Sequence, residues 1–150
     1  MVTNISHSPE DTEALGERWG REAKSGLVIA LSGDLGAGKT RLVKGLARGL
    51  GISEGVHSPT FTLVNCYPGG RLSLYHLDLY RLDTPEQIAA AGLDEYLAAE
   101  GVTVIEWAER WFGTGGESRG WARIPKRLRR VQIEMLEGNE RQITYEDPGA

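Results

Sequence analysis

The chain is poor in several things, and each shortage excludes something. Its 150 residues include one cysteine, Cys66, so no internal disulfide can form and a reducing cytoplasm is the simplest setting. No apolar run approaches the roughly 20 residues of a membrane-spanning helix. The opening stretch MVTNISHSPEDTEALG has neither the basic region nor the apolar core of a signal peptide. A soluble cytoplasmic protein, away from membranes, is the expectation. Positive charge is not in excess: the net charge is −4, so the chain as a whole is no binder of polyanions, and any phosphate must be held locally. There is no internal repeat and no linker, which suggests one domain over residues 1–150. No N-K-x-D segment is present to read guanine.

What is present begins with VIALSGDLGAGKT, residues 28–40. Val28 to Leu31 is short and apolar, as a buried strand would be. Gly33, Asp34, Leu35, Gly36, Ala37, Gly38, Lys39 and Thr40 fit G-x-x-x-x-G-K-[ST] at every fixed position. Leu42, Val43, Leu46, Ala47 and Leu50 then recur at helical spacing. Strand, glycine loop and helix are the context a phosphate loop requires. Glycines permit torsions and close approach that side chains forbid. The loop N–H groups and the helix N-terminus converge on phosphate oxygens. Lys39 can reach the β- and γ-phosphates, and the Thr40 hydroxyl can hold Mg²⁺.

Around this motif the chain reads as alternating elements. Val2 to Ser6 suits a short strand, and Ser8-Pro9 opens a helix whose apolar face is Leu15, Trp19 and Ala23. The motif helix runs from about Gly38 to Leu50. Ser58 to Asn65 and Leu72 to Tyr80 flank the turn Pro68-Gly69-Gly70 and read as an antiparallel hairpin. Thr84-Pro85 opens another helix, broken at Gly92, with a second short helix over 94–99. Val102 to Ile105 is a buried strand. Residues 113–120 are a polar loop, followed by a basic stretch with Arg119, Arg123, Lys126, Arg127, Arg129 and Arg130. Val131 to Met135 and Arg141 to Tyr145 form a closing hairpin. The fold class is α/β: a mixed sheet of the P-loop NTPase kind with flanking helices.

Hydrolysis of a bound nucleotide needs a metal and an oriented water. Glu106 follows four buried-strand residues, so its carboxylate should emerge at the carboxyl edge of the sheet, where open α/β sheets bind ligands. It occupies the place of a Walker-B acid, against the alternative of a solvated strand-end glutamate. Asp78 sits between Leu77 and Leu79, and an aspartate in such a run is costly to bury unless it is paired or near a metal. Its alternative is a half-exposed hairpin face. Ser58, Thr60 and Thr62 lie where switch segments of nucleotide hydrolases sit, although threonine also simply favours strands. His76 suits a packed hairpin histidine better than a base, and Trp107 suits either core or a cover beside Glu106.

These segments together resemble the TsaE family, the small bacterial ATPases of tRNA threonylcarbamoyladenosine biosynthesis. The resemblance is carried by GDLGAGKT (33–40), SPTFTLV (58–64), LYHLDLYRL (74–82), GLDEYL (92–97) and VIEW (104–107), in the family's order. It implies that Thr40 and Glu106 hold Mg²⁺, that Asp78 supports hydrolysis and that Thr60 belongs to a switch-like loop. Nucleotide contacts are implied near Thr12 and at Arg141. Arg41 stands where the family commonly has a second threonine. It closes the candidate nucleotide-contacting stretch, although its side chain points away from the phosphates if the helix is regular. The resemblance further implies ATP and Mg²⁺ as cofactors, and ATPase activity in support of a partner complex of TsaD with TsaB that modifies tRNA, with an indirect part for tRNA left open beside direct contact. A small-molecule kinase on the same fold is the alternative, its lid supplied by the arginines of 119–130; a nucleotide-gated binding module is another. The same basic stretch reads either as a solvated insertion or as a docking surface for tRNA phosphates or an acidic partner face.

Overall fold

Strand β2 (Leu27–Gly33) is the centre of the molecule, and its apolar run is buried on both sides. The computed structural model describes residues 1–33, 38–53, 55–57, 59, 62–112, 125 and 127–147. Around β2 lie β1 (Val2–Ser6), β3 (Val64–Tyr67), β4 (Leu74–Asp78), β5 (Val102–Glu106), β6 (Arg127–Met135) and β7 (Arg141–Glu146). They form one seven-stranded sheet in the order β1-β7-β6-β2-β5-β4-β3. The four central strands, β6, β2, β5 and β4, run parallel, and an antiparallel strand closes each flank before β1 is added outside β7. This is the expected mixed sheet with flanking helices.

Period-two alternation assigns the faces. Ile29, Leu31, Leu74, Val102, Val104, Val131, Ile133 and Ile143 point to a core shared with helices α1 (Pro9–Glu22) and α2 (Lys39–Gly49). Val28, Ala30, Leu77 and Ile105 point the other way, to α3 (Pro85–Ala90), a 3₁₀ helix over Leu93–Ala98 and the short α4 (Glu109–Phe112). The segment expected to hold a second short helix is therefore a 3₁₀ helix. The hairpin strands are shorter than their sequence runs, because pairing is confined to Val64–Tyr67 against Leu74–Leu77.

Helices α1 and α2 touch backbone to backbone. Gly16 and Gly20 lie four apart on α1, and Gly45 and Gly49 lie four apart on α2. A Cβ on any of them would collide with the facing helix: Gly16 with the Leu42 carbonyl, Gly20 with that of Leu46, Gly45 with that of Glu13, Gly49 with that of Glu17. The apolar spacing of Leu15, Trp19 and Ala23 identified the buried face of α1, but not this glycine seam. The seam is clamped by Glu13, which accepts from Arg41 Nη1 at 2.5 Å and Arg48 Nη2 at 2.7 Å. Burial pushes the Glu13 carboxyl up, but hydrogen bonds and charge from Arg48 and Arg41 outweigh it and hold the group below its ordinary value.

The basic stretch needs a correction. Arg127, Arg129 and Arg130 are not loop residues: they form the first part of β6, paired with Leu27, Ile29 and Ala30. Arg129 stacks over Trp19 and Tyr145, with its guanidinium 4.9 and 4.3 Å from their ring centroids. It also donates to both carboxylate oxygens of Asp147 at 2.8 and 3.0 Å. Burial alone would lower its pKa, but the Asp147 carboxylate raises it above the ordinary arginine value. Such a side chain is structural, because its charge is matched and its face is covered by aromatics. The loop 113–120 and Arg119, Arg123 and Lys126 lie outside the described residues.

Replacing Gly45 by alanine adds one methyl group against the backbone of α1. Alanine is the better helix former by about 1 kcal/mol, yet the collision should dominate and destabilise the fold by about 2–3 kcal/mol. Urea denaturation of Gly45→Ala measures this, and a neutral or stabilising result would contradict the backbone seam.

Candidate functional site

Strand register gathers the site. Leu31 on β2 is opposite Glu106 on β5, and Glu106 is opposite Asp78 on β4. All three strands run the same way, so their carboxyl ends finish together at one edge. By alternation His76 and Asp78 follow Leu74 on the α2 face, and Glu106 follows Val102 and Val104 on that same face. The register is prolonged by bonds from Leu79 N–H to the Glu106 carbonyl (3.1 Å) and from Ala108 N–H to the Leu31 carbonyl (3.0 Å).

Both acids are buried: Asp78 is 3% exposed and Glu106 4%. This removes the half-exposed hairpin reading of Asp78 and the solvated strand-end reading of Glu106. Asp78 Oδ1 accepts from Tyr80 N–H at 2.9 Å, and its own N–H donates to the Leu63 carbonyl at 3.0 Å. Glu106 Oε2 lies 2.5 Å from His76 Nε2 and 3.5 Å from the Thr40 hydroxyl at the start of α2. His76 is packed, as its place in the hairpin suggested, and is fully buried. Its contact with Glu106 was not read from sequence. The signal lay in the two-residue spacing of His76 and Asp78, but the parallel pairing of β4 with β5 was needed to use it.

Lys39 is 5% exposed. Its Nζ donates to the Gly33 carbonyl at 2.8 Å and lies 3.6 Å from the ring centroid of Trp107. Trp107 therefore does both things its position allowed: it lies over Lys39 and, half-buried, packs against the core on the α3 side of the sheet. Its ring also lies 5.2 Å from that of Tyr80, with the Arg110 guanidinium 5.5 Å from its centroid. Trp107 holds φ at +61°, and Leu63, whose carbonyl meets Asp78, holds φ at +70°. Left-handed backbone at such residues costs about 1–2 kcal/mol each and gathers at functional sites. The glycine stretch is equally constrained at its ends. Gly33 has φ +149° and passes against the Ile133 carbonyl, and Gly38 has φ +98°. Helices α1 and α3 are capped by the side chains of Ser8 and Thr84, but α2 starts at Gly38 with no side-chain cap.

Not every candidate joins this group. Arg41 is engaged with Glu13 on α1. The Thr12 hydroxyl shares a buried hydrogen bond of 2.7 Å with Ser6. Arg141 pairs in register with Ser6 on one side and Met135 on the other, and its Nη1 donates to the Glu140 carbonyl at 3.0 Å. Thr12 and Arg141 thus sit at the same edge of the sheet as Glu106, but on its β1–β7 flank. Thr62 donates to Asn65 Oδ1 at 3.3 Å in an exposed turn. Asp34, Leu35, Gly36, Ala37, Ser58 and Thr60 lie outside the described residues. Among the described residues no group of three or more His, Cys, Asp or Glu is placed to hold a metal ion, and no helix is long and apolar enough to cross a membrane. Cys66 is exposed and unpaired with any other cysteine.

The structure is thus an open, mixed α/β sheet with a buried lysine and two buried carboxylates gathered at its carboxyl edge, the edge at which open α/β sheets bind ligands. Comparison with known proteins narrows this. The family model for "Threonylcarbamoyl adenosine biosynthesis protein TsaE" matches residues 6–143. The tRNA threonylcarbamoyladenosine biosynthesis protein TsaE of Bacillus subtilis is 40% identical over 92% of this chain and 80% of its own length. That of Treponema pallidum is 42% identical over 93% and 96%. The crystal structure of Bacillus subtilis YdiB superposes with a TM-score of 0.78 at 35% identity, covering 99% of this chain and 86% of that one. The chain belongs to the TsaE family of threonylcarbamoyladenosine biosynthesis proteins.

The torsion at Trp107 reverses the usual order of two substitutions. With φ in the left-handed region, Trp107→Gly should be more stable than Trp107→Ala by about 1 kcal/mol. Denaturant unfolding of both variants tests it; an alanine variant at least as stable as the glycine one would contradict the torsion.

Proposed function

We propose that this protein binds Mg²⁺–ATP through residues 33–40 and hydrolyses it in the cytoplasm, supporting a TsaD–TsaB complex that modifies tRNA. The observation that supports this most directly is the convergence of Lys39, Thr40, Asp78 and Glu106 at one sheet edge beside G-x-x-x-x-G-K-T. The uncapped start of α2 leaves N–H groups for phosphate oxygens, as the motif requires. Lys39 would exchange the Gly33 carbonyl and Trp107 ring for β- and γ-phosphate oxygens. The donor set suits Mg²⁺, which takes one or two protein oxygens and completes its shell with phosphates and water. Thr40 and Glu106 supply such a pair, with the hydroxyl and carboxylate 3.5 Å apart. When bound, the metal neutralises charge developing on the transferred phosphoryl group. Asp78, held by the Tyr80 N–H, is the second acid for the attacking water. The partner complex and any indirect part for tRNA rest on the family.

The kinase alternative loses support where its lid was expected. Of the arginines offered for it, Arg129 is locked against Trp19, Tyr145 and Asp147.

Three variants test the proposal. Lys39→Ala should abolish ATP binding in calorimetry. Glu106→Ala and Asp78→Ala should keep their fold by circular dichroism, yet lose phosphate release by at least about 100-fold, with and without TsaD–TsaB. Glu106→Ala should also lose the Mg²⁺ dependence of nucleotide binding. Unchanged ATP affinity in Lys39→Ala, or wild-type phosphate release from the acid variants, would refute the assignment.

A further inference from the structure

We infer that His76 is a positioning residue for Glu106, fixing the carboxylate for its metal; the inference rests on the Mg²⁺–ATP reading. His76 is 0% exposed, and its Nε2 lies 2.5 Å from Glu106 Oε2, the same oxygen that faces the Thr40 hydroxyl at 3.5 Å. Its Nδ1 is buried with no hydrogen-bond partner among the described residues. A proton on Nδ1 would have no acceptor among the described residues, whereas a proton on Nε2 has the carboxylate, so the geometry favours the tautomer that donates through Nε2.

Packing alone does not account for an imidazole here. His76 is paired with Val104 on β5 and Asn65 on β3, and up to the acids Asp78 and Glu106 at the strand ends its neighbours on this face of β4 and β5 are the aliphatic Leu74, Val102 and Val104. An aliphatic side chain would fill that place without desolvating a ring nitrogen. What the imidazole adds is a rigid donor aimed at one oxygen. A glutamate has three side-chain torsions, and Glu106 ends a strand, where its carboxylate would otherwise rotate. With Oε2 held by a group whose ring is locked by burial, the carboxylate is presented beside Thr40 in one orientation. Groups that orient metal ligands in this way change metal affinity by about 10–100-fold when removed.

The test uses the full chain, with ATP and Mg²⁺ as probes. ATP affinity is measured by calorimetry across a Mg²⁺ series and in EDTA, beside the thermal midpoint of each variant. Leucine at position 76 fills the volume without a donor. Glutamine carries its amide nitrogen to about the place of Nε2, and asparagine stops short of it. In His76→Leu and His76→Asn the Mg²⁺ midpoint should rise at least about tenfold, with metal-free ATP affinity within about twofold of wild type. In His76→Gln the midpoint should stay within about threefold. If His76→Leu fails to fold, the Asn and Gln pair carries the same comparison. A wild-type Mg²⁺ midpoint in the Leu or Asn variant, with only thermal stability reduced, would make His76 a core residue and overturn the inference. A Gln variant as weak as the Asn variant would overturn it too. Glu106→Gln, run alongside, separates the two levels. If it leaves the midpoint unmoved, the metal reading itself fails; if it shifts the midpoint and His76→Leu does not, only the role of His76 fails.

Discussion

The parallel pairing of β4, β5 and β2 is the constraint on which everything else depends. It sets Asp78 and Leu31 on either side of Glu106, and it ends three strands at one edge. Parallel strands are hydrogen-bonded along their whole length and buried on both faces, which is why Val28–Leu31 is apolar without interruption and Val102–Ile105 is interrupted only by Thr103, a buried residue whose hydroxyl donates to the Tyr96 carbonyl at 2.8 Å. The buried carboxylates have partners: the ladder brings His76 to Glu106, the start of α2 brings Thr40 to it, and the Tyr80 N–H two residues along serves Asp78. A one-residue slip of β4 against β5 would send His76 and Asp78 to the opposite face.

The helix pair places the other half of the site. Thr40 reaches Glu106 because α2 starts where β2 ends, and α2 lies where it does because its glycines let α1 approach to backbone contact. The Glu13 clamp with Arg41 and Arg48 spans the seam. Arg41, one residue beyond Thr40, thus serves the scaffold, and the adjacent motif residues are left to face the sheet edge. The left-handed torsion at Trp107 turns the chain immediately after Glu106 and brings the indole over Lys39. Stability is given up locally at this torsion and at Leu63, and the well-packed sheet around them sustains it.

Much of this was legible in the residues. The strand-loop-helix pattern of 28–50, the hairpin at Pro68-Gly69-Gly70 and the position of Glu106 at a strand end all follow from local chemistry that the fold respects. What could not be read was non-local. The glycine seam needs two helices at once. The contact of His76 with Glu106 needs strands that are neighbours in space and 30 residues apart in sequence. The charges of Arg127, Arg129 and Arg130 disguised the first part of β6, because a charge run carries no strand periodicity; the stacking of Arg129 on Trp19 and Tyr145 and its pairing with Asp147 explain how the strand accommodates it.

The most direct test of the account is a crystal structure grown with Mg²⁺ and a non-hydrolysable ATP analogue. The account predicts phosphates cradled by residues 33–40, the Lys39 ammonium withdrawn from Trp107 onto them, and a metal ion touching Thr40 and Glu106. A nucleotide bound elsewhere on the sheet, or Lys39 still resting on Gly33 and Trp107 beside a bound nucleotide, would contradict it.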